Sequence, residues 1–285
     1  ILLAKLKGAK TIYNVQEIYP DLLINLGYLK NTFLVNFLKR LERFVYNSSN
    51  AVTTIDKQFY NIIKPRIKQE NSLHVIPNFV DTDLYVTESS AKLPAEFLSK
   101  PGFTNMLYAG NIGLAQEWDL VLNLAKEIRD ESITIWIIGE GVKKEYLKSQ
   151  IEKHNLSNIK LLPYQDRKYM PAINLFADFH FIAMDKSMEN DGFPSKVYSI
   201  MASGRPMVIV SSENTPITSF LKETETALLV TDHSLSGFKD AVLKLAFDKE
   251  LEVEMGKNGR KIIEENFTKA HVINHYINLI ENAIK

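Results

Sequence analysis

The 285-residue chain has no cysteine, which excludes disulfides, thiolate metal sites and thiol nucleophiles. It also has no net charge. Lys+Arg and Asp+Glu both number 34, so no global field draws it to nucleic acid or to another polyanion. The six histidines are scattered without metal-ligand spacing. No apolar run approaches the ~20 residues of a membrane span, and the opening Ile1–Lys7 is too short and too charged for a secretory signal. The remainder, 45% hydrophobic and 24% charged, is ordinary for a globular protein and compatible with the cytoplasm.

Strand-like and helix-like patterns alternate along the chain, which predicts an α/β protein with parallel sheets and crossover helices. Strands are expected at Thr11–Val15, Ala51–Ile55, Leu73–Ile76, Asn105–Ala109, Ile133–Ile138, Ile159–Leu162, Phe179–Ala183, Pro206–Val210 and Ala227–Val230. Helical periodicity runs through Asn31–Asn47, Asp56–Lys68, Trp118–Arg129, Lys143–His154, Ser234–Phe247 and Ala270–Ile284. Several strands are apolar on both faces, as when helices cover both sides of a sheet. The breaker-rich passage Asp81–Gly102 reads as a domain boundary. Roughly 85 residues precede it and roughly 185 follow, so only the second part reaches the size of a typical domain.

One segment concentrates chemistry: Glu189-Asn-Asp-Gly-Phe-Pro-Ser-Lys196, running on through Val-Tyr-Ser199 to Met201-Ala-Ser-Gly-Arg-Pro206. A polar loop enters a short helix that stops at Gly204 and hands over to a buried strand. Pro194 suits the first helical turn, and helix amides pointing out of Pro194–Val197, with the Lys196 ammonium beside them, would make a ready anion site. Asp191 lies where a carboxylate could accept hydrogen bonds from sugar hydroxyls. Glu189 is its rival for that role. Carboxylate, helix start and lysine together suit a nucleotide diphosphate-sugar.

Two further loops end predicted strands. Leu107-Tyr-Ala-Gly110-Asn111-Ile112-Gly113-Leu-Ala-Gln116 brings glycines that permit close backbone approach to a phosphate. Ile137-Ile-Gly139-Glu-Gly141 forms half of a dinucleotide fingerprint, without the third glycine or the ribose-binding acid, so it is read as a tight turn lining a nucleotide cleft. Leu161-Leu-Pro-Tyr164-Gln165-Asp166 follows another strand at the same sheet edge.

These motifs resemble those of family 4 glycosyltransferases of the GT-B type, and the Gly-Asn-x-Gly-x-Ala-Gln pattern resembles the subgroup of bacterial surface-polysaccharide, fucosamine-transferase-like enzymes. The resemblance implies a GT-B fold of two Rossmann-like, doubly wound parallel-sheet domains, the first incomplete. Residues 1–86 would be the second half of the N-terminal, acceptor-side domain, 87–268 the nucleotide-sugar domain, and 269–285 a helix crossing back to the first. The donor contacts it implies are Gly110, Asn111, Ile112, Gly113, Gln116, Gly139, Gly141, Tyr164, Gln165, Gly192, Phe193, Pro194, Ser195 and Ser199, with Asp191, Lys196 and Glu17 as catalytic candidates. The family's two glutamates, eight positions apart, become Asp191 and Ser199 here. Arginine and lysine, frequent in the family's first loop, are Asn111 and Gln116, which leaves positive charge near the phosphates mainly to Lys196.

Gln16-Glu17-Ile-Tyr19-Pro-Asp21 would project from the N-terminal side. Glu17 and Asp21 are candidate acceptor-side residues, while Asp21 reads equally as a helix-start residue. Asp81-Thr-Asp83 matches a metal-binding Asp-x-Asp but lies in the linker, so no metal is assigned and no cofactor is expected beyond the donor itself. The stripe Phe33, Leu34, Phe37, Leu38, Leu41, Phe44 and Val45, flanked by Lys30, Lys39, Arg40 and Arg43, reads first as a core face. Its alternative is a peripheral contact with an anionic membrane, to which Lys64, Arg66 and Lys68 would add charge.

The function implied is retaining transfer of a hexose or N-acetylamino sugar from a nucleotide diphosphate donor, UDP before others. The acceptor would be a glycan, lipid-linked in the first instance, at the inner face of a bacterial membrane in capsule or O-antigen synthesis. A nucleotide-sugar 2-epimerase and a non-catalytic sugar-nucleotide-binding subunit are the alternatives.

Overall fold

The computed structural model describes residues 1–25, 27–87, 92–187 and 193–284. The chain divides into two compact units, one of Ile1–Phe79 and Asn266–Lys285, the other centred on Val80–Asn190 and Pro194–Glu265. The division falls at Phe79, a few residues ahead of the breaker-rich passage, so Asp81 belongs with the second unit. There Asp81 Oδ1 accepts from the amides of Asp83 and Leu84, at 3.1 Å each, and shapes the turn that follows. Among the described residues no group of three acidic or histidine side chains could hold a metal ion.

The first unit contains α1 (Leu2–Leu6), β1 (Ile12–Val15), α2 (Asp21–Asn25), α3 (Thr32–Ser48), β2 (Ala51–Thr54), α4 (Lys57–Ile63) and β3 (Leu73–Val75). Its three strands are parallel in the order β1-β2-β3. β2 is buried at all four positions, as expected of a central strand covered on both faces. Asn31 Oδ1 caps α3 through the amides of Phe33 and Leu34, and Asp56 Oδ1 caps α4 through Phe59 at 2.7 Å. The periodic stripe on α3 is not a core face. The helix buries Glu42 and Tyr46, whereas Phe33 is 84% and Phe37 55% exposed, and Leu41 and Phe44 are also open. The buried side is held by charge instead. Arg66 pairs with Glu42 at 2.8 Å and with Asp21, so Arg66 is not free surface charge. Lys64 is likewise paired, with Glu70.

The second unit contains β4 (Thr104–Ala109), α5 (Trp118–Glu127), β5 (Ile133–Ile138), α6 (Lys144–Lys153), β6 (Ile159–Leu162), α7 (Met170–Phe176) and β7 (Phe179–Ala183). It continues with α8 (Lys196–Ala202), β8 (Met207–Val210), α9 (Pro216–Thr224), β9 (Ala227–Val230), α10 (Leu235–Phe247) and α11 (Lys249–Asn266). Six parallel strands lie in the order β6-β5-β4-β7-β8-β9. Counted from β4 this is 3-2-1-4-5-6, the doubly wound order whose direction reverses between β4 and β7. The sheet is a two-sided core. Met106, Tyr108, Ile135, Ile137 and Phe181 pack on one face, and Leu107, Trp136, Ile138 and Phe97 on the other. That alternation is the period-2 geometry of a strand with both faces covered.

The last helix, α12 (Lys269–Ile284), belongs to the first unit, where Val272 and Leu279 pack with Ala51 and Ile76.

Candidate functional site

In a doubly wound sheet, ligands sit beyond the carboxyl ends of the strands at the point where the order reverses. Here that point lies between β4 and β7. The loop after β4 is Gly110–Gly113, and the chain after β7 leads into α8, which begins at Lys196.

Backbone packing explains the glycines. Gly139 and Gly141 have φ near +150°, and a Cβ at Gly139 would stand 1.8 Å from Gly110 O. A Cβ at Gly141 would stand 2.3 Å from Ile112 O. The ladder continues past the strand ends, with Gly110 N donating to Ile138 O at 2.9 Å and Ile112 N to Glu140 O at 2.8 Å. The two loops therefore brace each other backbone to backbone, which only residues without side chains allow. This commits the amides of Gly110 and Ile112 to the protein. Those of Asn111 and Gly113 have no acceptor among the described residues.

Buried aromatics fix the loop from beneath. Tyr108 Oη donates to Asn111 O at 2.7 Å and Trp118 Nε1 to Gly113 O at 2.9 Å, and the two rings meet edge to face, 5.0 Å apart. Burial pushes the Tyr108 hydroxyl well above its ordinary pKa, so it stays a donor. Neither ring was singled out by sequence reasoning. The available signal was a tyrosine at the end of a strand and a tryptophan opening a helix, on either side of the glycines.

Lys196 reaches into this loop. Its Nζ lies 3.7 Å from the centroid of the Tyr108 ring, and a Cβ on Gly110 would meet it at 2.6 Å. The residue is only half-buried overall, yet its ammonium is enclosed by ring and backbone. Among the described residues it has no carboxylate partner. Burial pushes its pKa down to about 7, against 10.5 for a free lysine. Among the described residues the ammonium therefore stands without a counter-charge beside amides that have no acceptor, an arrangement with the electrostatics to receive an anion. Nearby His180 is 1% exposed, and burial lowers its pKa to about 3, so it is a neutral side chain hydrogen-bonded to Asn174 O.

The helix start differs from expectation. α8 begins at Lys196, two residues after Pro194, and Val197 N donates to Pro194 O at 3.0 Å. The proline builds a tight turn ahead of the helix, so the Val197 amide is spent inside it. Ser195 is exposed, and Phe193 and Pro194 are half-buried. Ser199 Oγ donates back to Lys196 O at 2.9 Å, inside its own helix. Gln165 is buried and donates to Glu96 Oε1 and Pro163 O, whereas its neighbour Tyr164 is 69% exposed. Gln116 Nε2 donates to Ala115 O, and its buried Oε1 has no partner among the described residues. Asp191, Gly192 and Glu189 lie outside the described residues.

In the first unit Glu17 is exposed and accepts from Tyr19 Oη at 2.7 Å. Asp21 opens α2 and is tied to Arg66 and Lys39, which is the helix-start alternative rather than a free acid.

Comparison with known proteins matches this geometry. The chain is 28% identical over 223 residues to the "Putative colanic acid biosynthesis glycosyl transferase WcaI" of Escherichia coli (strain K12), covering 76% of this chain and 54% of that protein. It is 25% identical over 227 residues to the "Probable glycosyltransferase WbjE" of Pseudomonas aeruginosa, covering 76% and 55%. It thus spans about half the length of these curated relatives. Among solved structures, Anabaena HepE in complex with UDP superposes with a TM-score of 0.79 at 13% identity, covering 99% of this chain and 74% of that one. TarM of Staphylococcus aureus, in a complex that includes UDP, gives 0.71 at 19%, covering 96% and 51%. These likenesses show the fold, a GT-B arrangement of parallel sheets with helices. The profile of the family described as "Glycosyl transferases group 1" matches residues 90–262, and the chain belongs to that family.

Proposed function

We propose that the second unit binds a nucleotide diphosphate-sugar, with UDP as the nucleotide. On this reading the protein transfers its hexose or N-acetylamino sugar, with retention at the anomeric carbon, to a glycan acceptor in polysaccharide synthesis. The observation that carries this reading is the enclosed Lys196 ammonium against Gly110, at the reversal point of the sheet. Leaving-group departure concentrates negative charge on the β-phosphate. A fixed cation and the free amides of Asn111 and Gly113 would stabilise that charge as it develops, at no reorganisation cost. Bound diphosphate would in turn restore the full charge of Lys196, because an adjacent anion favours the protonated form. Asp191 is assigned to the sugar hydroxyls and Glu17 to the acceptor side.

Uridine is favoured by the relatives HepE and TarM, both solved with UDP. Polysaccharide synthesis is favoured by the name of WcaI. A lipid-linked acceptor, and with it a place at the inner membrane face, is favoured by the exposed Phe33, Phe37 and Phe44 of α3, with Arg40 and Arg43 also exposed beside them. No helix among the described residues is long and apolar enough to cross a membrane.

The test is a donor panel of UDP- and GDP-sugars with undecaprenyl-linked and free glycan acceptors, read by mass spectrometry. Transfer from a UDP-sugar supports the proposal. Interconversion of the donor without acceptor would instead make the protein an epimerase, and nucleotide binding without turnover a binding subunit.

A further inference from the structure

A cavity in the second unit lies at the opposite end of the sheet from the donor loops. It holds about 280 Å³ and is lined by Gly204 and Arg205, which lead into β8, and by Glu252, Gly256, Lys257 and Arg260 of α11. Gly204 and Gly256 meet there without side chains between them, a Cβ on Gly256 standing 2.2 Å from Gly204 O. α8 runs between the two places. Lys196 opens it on the donor side, and at its other end Arg260 Nη1 donates to Ala202 O at 2.7 Å and to Tyr85 O at 2.5 Å.

Four cationic side chains, the fourth being Lys261, line the cavity against the two carboxylates of Glu252 and Glu264, and both carboxylates are already engaged. Glu264 accepts from Arg260 Nε at 2.6 Å. Glu252 is buried and accepts from Lys249 Nζ at 2.8 and 2.6 Å, from outside the cavity. Arg205 donates through Nη2 to Leu175 O at 2.6 Å, but its Nη1 stands 3.6 Å from Glu252 Oε1, beyond hydrogen-bond range. That nitrogen and Arg260 Nη2 have no hydrogen-bond partner among the described residues, and neither is a buried atom, so an occupant can reach both. Lys257 has no carboxylate partner among the described residues, and Lys261 has only Glu265 at 4.0 Å.

The chemistry limits the occupant. Among the described residues no aromatic ring lines the cavity, which argues against a base or the C–H face of a sugar. Open guanidinium nitrogens beside lysine ammoniums match the oxygens of a phosphate in charge and in geometry. The volume lies at the low end for ligand sites, which fits a small anion better than a whole nucleotide. We propose that this cavity binds a phosphate dianion, free or as a phosphomonoester, between Arg205, Lys257 and Arg260. The proposal does not depend on the transferase reading.

Titration calorimetry on the full chain tests it, with inorganic phosphate and glycerol 3-phosphate as probes in chloride buffer of matched ionic strength. UDP is present in excess to fill the donor site, and Lys196→Met protein replaces that block if UDP does not bind. At least one probe should bind saturably, one per chain, and the tighter of the two identifies the source as free phosphate or an ester. Lys257→Gln, at an exposed position, should weaken binding at least fivefold while thermal unfolding remains cooperative. Arg205→Lys, which keeps the charge and loses the fork, should do the same; if it fails to fold, Lys257→Gln combined with Lys261→Gln gives the second reading. Absence of saturable binding by both probes would overturn the proposal, as would binding abolished by UDP or by Lys196→Met, or unchanged in the folded variants. Acetate bound as tightly as phosphate would overturn it in favour of an unspecific basic patch. Failure of UDP binding alone would count against the donor site and leave this cavity standing.

Discussion

The Lys196 ammonium rests 3.7 Å from the centroid of the Tyr108 ring, and the same tyrosine donates its hydroxyl to Asn111 O at 2.7 Å. One side chain therefore supports the cation and fixes the glycine loop beside it. Removing either function should be measurable separately.

Lys196→Met keeps the length and packing of the side chain and removes the charge. UDP affinity should fall at least tenfold, about 1.4 kcal/mol, as expected for loss of a charge-assisted contact. Calorimetry on the two proteins checks this.

Tyr108→Phe keeps the ring under Lys196 and loses the hydroxyl bond to the loop. Leaving Asn111 O unmatched should cost about 1 kcal/mol of stability. UDP binding should weaken by a smaller factor than in Lys196→Met, because the charge remains. Urea unfolding and calorimetry together separate the two effects.

Lys196 also sets a stability trend. Its folded pKa, about 7, lies below the value of an unfolded lysine. The unfolded state therefore binds more protons between about pH 7 and 10, and stability from this residue rises with pH across that window. In Lys196→Met that contribution should vanish. Thermal melts at several pH values should show the wild-type curve rising relative to the variant; parallel curves would contradict a lysine whose pKa burial lowers.

Gly139→Ala should be severely destabilising, because its Cβ would stand 1.8 Å from a backbone oxygen and neither loop can yield without unzipping the other. A loss above about 2 kcal/mol is expected, in the range of strained backbone positions. Denaturant titration measures it.

The second unit was legible in the sequence for a physical reason. Ile133–Ile138 and Phe179–Ala183 are buried on both faces, and such strands leave runs broken only by Thr134 and His180, which mark a doubly wound sheet. Lys196 and the glycine pair were legible too, because glycine at a strand end and a lone lysine at a helix start are local signals. What failed was less local. Asn31–Asn47 has a strong apolar period and forms the helix, yet its expected core face is open while Glu42 and Tyr46 are buried. Periodicity reports that a helix has an apolar side; it does not report which neighbours cover it. α11 carries Gly256 and Gly259, which depress helix propensity. Gly256 is there because α11 approaches Gly204 so closely that a Cβ would stand 2.2 Å from its oxygen. The link of Arg66 to Glu42 and Asp21 spans 24 and 45 positions and has no sequence signature.

The central claim is that Lys196, which has no carboxylate partner among the described residues and whose pKa burial lowers to about 7, receives the donor diphosphate. Titration calorimetry of UDP against this chain at about pH 6.5 and 8.5 tests it most directly. Bound diphosphate raises the lysine pKa, so complex formation takes up a proton above pH 7, and affinity should fall roughly tenfold or more between the two values. That fall should disappear in Lys196→Met. Affinity independent of pH, or equal in the two proteins, would contradict the account and remove Lys196 from the donor site.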